Sequence, residues 1–222
     1  LTYFVPRDNN CEIWKVKMEN ISGKKRNLQV YAFQELMMGN ALNDIINQPN
    51  DKHFTDIKFN KEQETLEATR RYWVLHKKSA SVEQPNIDWK YKVYFTMNLP
   101  VKGFDSSLDK FIGKWRSEAN PVAVEQGKMF NTEITAGDPV VALQSEIQLK
   151  ADESLDFSVF MGIEQKETEK LYESLKISKY KDNNFVGEKL QEVKAYWDHY
   201  LSHVKVKTPN ESFNLILNVW NQ

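Results

Sequence analysis

Apolar and polar residues alternate along most of the first three quarters of the chain. In 155–163 the alternation has no break, since every second residue from Leu155 to Ile163 is apolar. A period of two residues is typical of a β-strand with one buried face. The same pattern predicts strands at 11–20, 28–36, 55–59, 66–75, 92–99, 140–149 and 155–163.

The connections between these strands predict how they are arranged. The first two strands are joined by a short link that contains Gly23, which predicts an antiparallel hairpin. Because no helical pattern separates the strands, parallel crossovers are disfavoured and we expect a large antiparallel β-sandwich. Two connections, 39–54 and 103–138, are long and rich in Asn, Asp, Gly and Pro. Long loops inside a compact domain are often functional.

After residue 163 the hydrophobic period becomes helical. In 164–178 and 188–203 the apolar residues are spaced three and four apart, as in a half-buried helix. Thr208 and Glu211 then have the spacing of a capping box, which predicts the start of a third helix. The predicted organisation is therefore a β-sandwich over 1–163 followed by a helical linker over 164–222.

Composition limits the classes of function. The chain has 222 residues, 41% of them hydrophobic, and a formal net charge of −1, which is typical of a soluble globular protein. This charge gives no support to a nucleic-acid or acidic-membrane partner. The single cysteine, Cys11, excludes an internal disulfide and is predicted to be buried. No apolar run approaches the roughly 20 residues that span a bilayer, so we expect a cytoplasmic location.

Two groups of ionisable residues have spacings that occur in enzymes. His199 and His203 lie four apart on a predicted helix, a spacing found in zinc sites, but an exposed helix face explains them better. Carboxylates such as Asp105 and Glu125 could form a glycosidase pair. With thirty-one acidic residues in the chain, we interpret these two as solvated surface, and no metal site is predicted.

Two loops are better candidates for binding. The first contains Asn43, Asp44, Asn47 and Asn50, whose neutral donors and acceptors suit sugar hydroxyls. Asparagine also caps helices and fills turns, so a structural role is the alternative.

The second loop contains Trp115 and Arg116. An indole could stack on a sugar ring while the guanidinium donates hydrogen bonds to its oxygens. The same two side chains could equally anchor the loop to its own sheet.

A series of short motifs also occurs along the chain, each at one position. They are Tyr3-Phe4-Val5-Pro6, Glu12-Ile13-Trp14-Lys15-Val16, Asn20, 28–35, Arg70-Arg71-Tyr72-Trp73, Gly103-Phe104-Asp105, Phe111-Ile112-Gly113, Asn120-Pro121, Val124-Glu125-Gln126-Gly127, Asn131, Tyr196-Trp197, Thr208-Pro209 and Asn218-Val219-Trp220-Asn221. As an ordered set they resemble the cellobiose, cellodextrin and chitobiose phosphorylases, formerly glycosyltransferase family thirty-six.

The resemblance implies an architecture for the parent protein. Members of this family have an N-terminal β-supersandwich, a helical linker, an (α/α)6 barrel and a small C-terminal β domain. The chain corresponds to most of the supersandwich plus the linker, with the first strands expected upstream of Leu1 and the barrel expected after Gln222. The apolar run at the first residues, which lacks an initiator methionine, also suggests an excerpt of a longer protein.

The resemblance also implies a function. The parent would be an enzyme that cleaves β-glucosides such as cellobiose or cellodextrin by inverting phosphorolysis, giving α-glucose 1-phosphate. Inorganic phosphate would be its co-substrate and no other cofactor is expected. The catalytic residues of such enzymes lie in the barrel, so none is expected in this chain.

In the family the sandwich contributes to a homodimer contact and to the acceptor-side rim of the active site. This implies a place at the rim for Asn43, Asp44, Asn47 and Asn50, and for Trp115 and Arg116. The sequence Asn47-Gln48-Pro49-Asn50 differs from the Asn-Phe-Gln pattern of the cellobiose enzymes, which leaves the acceptor open. The alternative function is a free-standing carbohydrate-binding or structural β-sandwich.

Overall fold

The computed structural model describes residues 1–38, 45–46, 52–70, 90–165 and 177–220. Every strand pair in these residues is antiparallel, which confirms the predicted mainly β, antiparallel class. The strands are β1 Thr2–Phe4, β2 Cys11–Glu19, β3 Arg26–Glu35, β4 Thr55–Asn60, β5 Thr65–Arg70, β6 Tyr91–Met97, β7 Gly103–Ser107, β8 Pro139–Leu149 and β9 Ser154–Gln165.

The strands form two sheets. We name them sheet A, with the order β1-β2-β9-β6-β5-β4, and sheet B, with the order β3-β8-β7. The helices are α1 Leu108–Phe111, α2 Val122–Gln126, α3 Ile177–Tyr180, α4 Asn183–Leu201 and α5 Glu211–Leu215, and α5 is followed by the π-helical turn Ile216–Trp220. Among the described helices, none combines the length and the apolar character needed to cross a membrane.

The main hydrophobic core lies between the two sheets. Sheet B contributes Ala32, Val141 and Leu143, and sheet A contributes Phe95 and Val159. The alternating pattern creates this core because it places every second side chain of a strand on the inner face of its sheet.

Strand β8 is covered on both faces over its first half. Pro139 to Ser145 are all buried, whereas Glu146 and Gln148 of the second half are exposed. The outward-facing Val140 and Ala142 pack under α1 and α2. A strand covered on both faces has apolar residues at consecutive positions, so alternation alone underestimates its burial.

The outer face of sheet A is covered by the linker helices. Ile13 and Phe160 pack against Tyr180 and Val186, with Leu190 partly buried beside them. The described residues therefore form four layers, in the order α3–α4, sheet A, sheet B and α1–α2.

The hairpin predicted between the first two strands is wrong. β2 lies in sheet A between β1 and β9, whereas β3 lies in sheet B beside β8. The link after β2 crosses between the sheets next to the link from β8 to β9. The buried Asn20 joins the two links, because its Nδ2 donates to the carbonyl oxygens of Leu149 (3.2 Å), Lys150 (2.6 Å) and Lys24 (2.8 Å).

Three further predicted elements differ from the structure or extend beyond its described residues. The predicted helix at 164–178 is wrong at its start, because β9 continues to Gln165 and pairs there with Tyr91. Residues 166–176 lie outside the described part. The connection 103–138 is not a continuous loop, since it contains β7, α1 and α2. Of the strand predicted at 66–75, β5 accounts for the residues to Arg70 and the rest is outside the described residues.

The start of the last helix is capped differently from the prediction. Asn210 is the N-cap residue, and its Oδ1 accepts a hydrogen bond from Phe213 N at 3.1 Å. Thr208 instead donates through Oγ1 to Asn214 Oδ1 at 2.9 Å. Asparagine and threonine are both favourable caps, so composition alone could not decide between them.

Candidate functional site

The two candidate loops leave sheet B at the same end. In the strand register Glu35 is opposite Val140, and Ser107 is opposite Pro139. β3 and β7 therefore both end where β8 begins. The chain continues from one strand towards the asparagine-rich segment and from the other towards Trp115.

The asparagine-rich segment is described only in part. Asn43, Asp44, Asn47 and Asn50 lie outside the described residues, so their place at a sugar site stays a prediction.

Lys52 is the first described residue after this segment. The Lys52 Nζ lies 3.8 Å from Glu35 Oε2 and 3.7 Å from Asp138 Oδ1. Glu35 ends β3 and Asp138 precedes β8, so Lys52 links the segment to the end of sheet B from which it departs.

A cavity of about 690 Å³ lies where β3 leads into this segment. Its lining includes Leu36, Met37, Met38 and Met161, with the Glu12 carboxylate at its wall. Flexible thioether side chains pack well against irregular apolar groups. The lining is mainly apolar, with Asn10, Glu12, Gln34 and Glu35 as its polar residues.

The second loop presents Trp115 and anchors itself with Arg116. The Trp115 side chain is fully exposed, and its backbone is in the left-handed region with φ 63°. The Arg116 guanidinium forms an ion pair with Glu125 and donates to the Asn120 carbonyl oxygen at 3.3 Å. Of the two predicted roles for Arg116, this geometry is that of a loop anchor. Trp115 is the side chain that remains open to a ligand.

Helix α2, which carries Glu125, is itself fixed to sheet B through Gly127. The carbonyl oxygen of Gly127 accepts hydrogen bonds from Gln29 Nε2 (3.0 Å) and Gln144 Nε2 (3.1 Å). Gly127 has φ 64°, and a Cβ atom there would lie 2.9 Å from Gln29 Oε1. A glycine is favoured because the position is left-handed, and a side chain there would also have to displace the end of the Gln29 side chain.

Gln29 and Gln144 were missed by the sequence reasoning. Their only signal is that both are polar residues on the outward face of a predicted strand, which most exposed strands also show. Their pairing with Gly127 arises because α1 and α2 fold back over sheet B.

Asp105 is not surface, contrary to the sequence interpretation. It is fully buried, and its carboxylate accepts hydrogen bonds from Phe130 N (3.0 Å), Thr132 N (3.1 Å) and Thr132 Oγ1 (2.7 Å). Burial raises the pKa of Asp105 above its ordinary value, although these hydrogen bonds act in the opposite direction. Asp105 is thus a structural carboxylate that holds the segment after α2 against β7.

Cys11, His199 and His203 are the remaining ionisable residues that the sequence analysis considered. Cys11 is buried as predicted, and burial together with the nearby Asp8 raises its pKa to about 12. His199 is exposed near the end of α4 and His203 is exposed in the turn that follows it; their rings are 4.8 Å apart, and His203 Nδ1 lies 2.8 Å from the His199 carbonyl oxygen. Within the described residues, no three His, Cys, Asp or Glu side chains are grouped so that they could hold a metal ion.

Most of the chain matches one protein family. Residues 1–183 match the glycosyl hydrolase 94 supersandwich domain, and the chain belongs to this family. The resemblance noted from the sequence motifs is thereby confirmed.

Several curated relatives match nearly the whole chain. The chain is 26% identical to the N,N'-diacetylchitobiose phosphorylase of Vibrio furnissii, with 99% of the chain and 25% of the relative covered. It is 26% identical to the 3-O-β-D-glucopyranosyl-β-D-glucuronide phosphorylase of Paenibacillus borealis, with 98% and 26% covered. It is also 24% identical to the cyclic β-(1,2)-glucan synthase NdvB of Rhizobium meliloti (strain 1021), with 97% and 7% covered. The chain thus spans about a quarter of the phosphorylases it matches.

Proposed function

We propose that the chain is the non-catalytic supersandwich domain of a cytoplasmic glycoside phosphorylase. The observation that carries this proposal is the family match over residues 1–183, together with nearly complete coverage of the chain by two phosphorylases of different specificity. The parent enzyme cleaves a β-linked disaccharide or oligosaccharide, such as cellobiose or a cellodextrin, with inorganic phosphate and releases an α-sugar 1-phosphate.

The chemistry proposed for the parent explains why the domain needs no catalytic pair. Phosphate attacks the anomeric carbon, and a carboxylic acid elsewhere in the polypeptide protonates the leaving oxygen. Phosphate replaces the activated water of an inverting hydrolase, so a second carboxylate base is unnecessary. Phosphate is a co-substrate in this scheme, and no cofactor is invoked.

In this proposal the domain forms part of the acceptor-side rim of the active site and supports a homodimer. Both candidate loops leave the same end of sheet B, and Lys52 links one of them to that end. The rim residues are Asn43, Asp44, Asn47 and Asn50 in one loop and Trp115 with Arg116 in the other. Trp115 contacts the acceptor sugar, while Arg116 holds the loop that presents it.

Phosphate release by the full-length protein tests the activity. Glucose 1-phosphate and N-acetylglucosamine 1-phosphate serve as donors, and glucose, cellobiose, N-acetylglucosamine and glucuronic acid serve as acceptors. We expect release with one donor and one class of acceptor, and none from the 222-residue chain alone. Silence with every pair would contradict the phosphorylase assignment, and turnover by the chain alone would contradict the absence of catalytic residues from it.

Trp115→Ala in the full-length protein tests the rim. Loss of an aromatic contact worth about 0.5–1.5 kcal/mol should raise the acceptor KM about two- to thirteenfold and leave the donor KM unchanged. Ile21→Ala is the matched control, because Ile21 is 85% exposed but lies before β3, at the opposite end of that strand. An unchanged acceptor KM in Trp115→Ala would remove Trp115 from the site.

A further inference from the structure

A second pocket lies where the two sheets meet at their edges, away from the Trp115 loop. β4 is the edge strand of sheet A, and β7 is the edge strand of sheet B. The chain after α2 connects them, because Ile134 bridges to Ile57 of β4 and Thr132 bridges to Asp105 of β7. The pocket beside this connection has a volume of about 570 Å³, and we call it the seam pocket. The lining residues that matter here are Phe59, Lys61, Lys102, Phe104, Asn131 and Glu133.

Two stacked phenylalanines form the apolar part of the seam pocket. The rings of Phe59 and Phe104 have centroids 4.2 Å apart and planes 14° apart. Each ring is half-buried against the main core, so its position is fixed by packing. A volume of this size with aromatic walls is within the range of small-molecule sites.

The polar side chains of the pocket are held in place and retain bonding capacity. Asn131 Oδ1 accepts a hydrogen bond from Phe104 N at 3.0 Å, which leaves its amide nitrogen as a donor. Glu133 Oε1 accepts from Phe59 N at 2.9 Å, which leaves its second oxygen as an acceptor. Each polar group is therefore oriented by the strand that carries one of the stacked rings. A donor and an acceptor beside an apolar surface suit the hydroxyls of a pyranose.

The charge of the pocket favours an anion. Lys61 and Lys102 are exposed, and neither makes an ion pair within the described part of the chain. Glu133 is the one carboxylate among these six residues, and one of its two oxygens already accepts a hydrogen bond from the backbone N–H of Phe59. Two lysines against one glutamate leave a net positive lining, and a lysine ammonium is a compact charge that binds carboxylate or phosphate.

We propose that the seam pocket binds a sugar that carries an anionic group, with its ring against Phe59 and Phe104 and its charge between Lys61 and Lys102. The anion is a carboxylate of a uronic acid or a phosphate ester. This site is separate from the acceptor rim and does not depend on the phosphorylase activity. It gives the domain a binding function of its own.

Calorimetric titration of the 222-residue chain tests the site with four probes: methyl β-D-glucuronide, glucose 6-phosphate, methyl β-D-glucoside and inorganic phosphate. We expect at least one anionic sugar to bind at least fivefold more tightly than both the neutral glucoside and phosphate. Binding of only one anionic sugar shows whether the pocket prefers a carboxylate or a phosphate ester. Binding of both shows that the pocket recognises the negative charge without distinguishing the two groups. Equal affinity for the neutral glucoside, equal affinity for phosphate, or no binding of either anionic sugar would each overturn the proposal.

Substitutions assign the binding to the pocket. The double variant Lys61→Ala/Lys102→Ala should weaken the anionic sugar at least fivefold, whereas Lys61→Arg/Lys102→Arg should retain binding. The control pair Lys24→Ala/Lys25→Ala removes two exposed lysines from the link between β2 and β3 and should change nothing. Binding that survives in the first double variant would place the sugar elsewhere and overturn the assignment. Because all these lysines are exposed, the variants should fold as the wild type does.

Discussion

Asp105 shows at the scale of single residues how the domain balances burial against hydrogen bonding. Its carboxylate receives three hydrogen bonds from Phe130 and Thr132, yet burial is the larger influence and raises its pKa. The native state therefore keeps the Asp105 proton to a higher pH than the unfolded chain does. The contribution of this group to stability is greatest below its ordinary pKa of 3.8 and is lost as pH rises through the raised pKa.

Asp105→Asn tests this sign. The amide cannot ionise. Its nitrogen would face a backbone N–H that donates to the carboxylate in the wild type, so we expect the free energy of unfolding to fall by about 1–3 kcal/mol at neutral pH. The stability advantage of the wild type over Asp105→Asn should be largest below about pH 4 and should shrink as pH rises. Urea unfolding across a pH series measures both quantities. Asp109→Asn, on the exposed side of α1, is the control, and an advantage that grows with pH would show that the pKa is lowered instead.

At the scale of elements, the two links that cross between the sheets act as a pair. Asn20 is in the first link, and its backbone N donates to Glu153 O of the second at 2.9 Å. Its side chain donates to the carbonyl oxygens of Leu149, the last residue of β8, and of Lys150, and it accepts from Ser22 N and Ser22 Oγ. One buried side chain thus hydrogen-bonds backbone groups of both links at this corner.

Asn20→Ala should destabilise the domain more than loss of an exposed asparagine. Several carbonyl and N–H groups would lose their partner at a buried site, and we expect the free energy of unfolding to fall by about 2–3 kcal/mol. Asn27→Ala is the matched control, because Asn27 is exposed and its Oδ1 accepts one exposed hydrogen bond from Gln148. We expect that control to cost less than about 0.5 kcal/mol. Equal costs in urea unfolding would show that Asn20 does not hold the corner.

At the scale of the whole molecule, the layers end part-way along α4. Val186 and Leu190, in its N-terminal half, pack on sheet A. In its C-terminal half Trp197 is 51% exposed, and in the turn after α5 Trp220 is 76% exposed. The hydrogen bonds that tie α5 and its π-helical turn to the preceding chain go to Val206 and Thr208, outside the sandwich.

Removal of residues 208–222 should therefore leave the stability of the sandwich unchanged within about 0.5 kcal/mol. Val186→Asp is the contrasting variant. Val186 is fully buried between α4 and sheet A, and a charge there should cost about 3 kcal/mol or more. Thermal unfolding of both variants compares them. A truncation that lowers the midpoint as much as Val186→Asp would mean that the C-terminal segment contributes to the packed domain.

Some features of the candidate site could be predicted from the sequence, and others depend on the fold. The buried Cys11 has the environment that its local pattern favours, whereas the sequence left Trp115 open between contact with a sugar and packing on its own sheet, and the fold exposes it. The anchoring role of Arg116 could not be chosen from the sequence, because it depends on Glu125 lying on α2 next to the loop. Asp105 and Glu125 have the same kind of side chain, and only the path of the chain after α2 buries one of them and leaves the other exposed.

The sequence by itself determined where most of the described strands lie, that the class is antiparallel β, and that helices follow. Each of these depends on a hydrophobic period, which is local. Only the tertiary structure decided that β2 pairs with β9 and β3 with β8, whose partners lie more than 100 residues apart in the chain. An apolar strand face specifies that it must be buried but not against which strand, so pairing, the burial of Asp105 and the position of the seam pocket follow from how the two sheets close on each other.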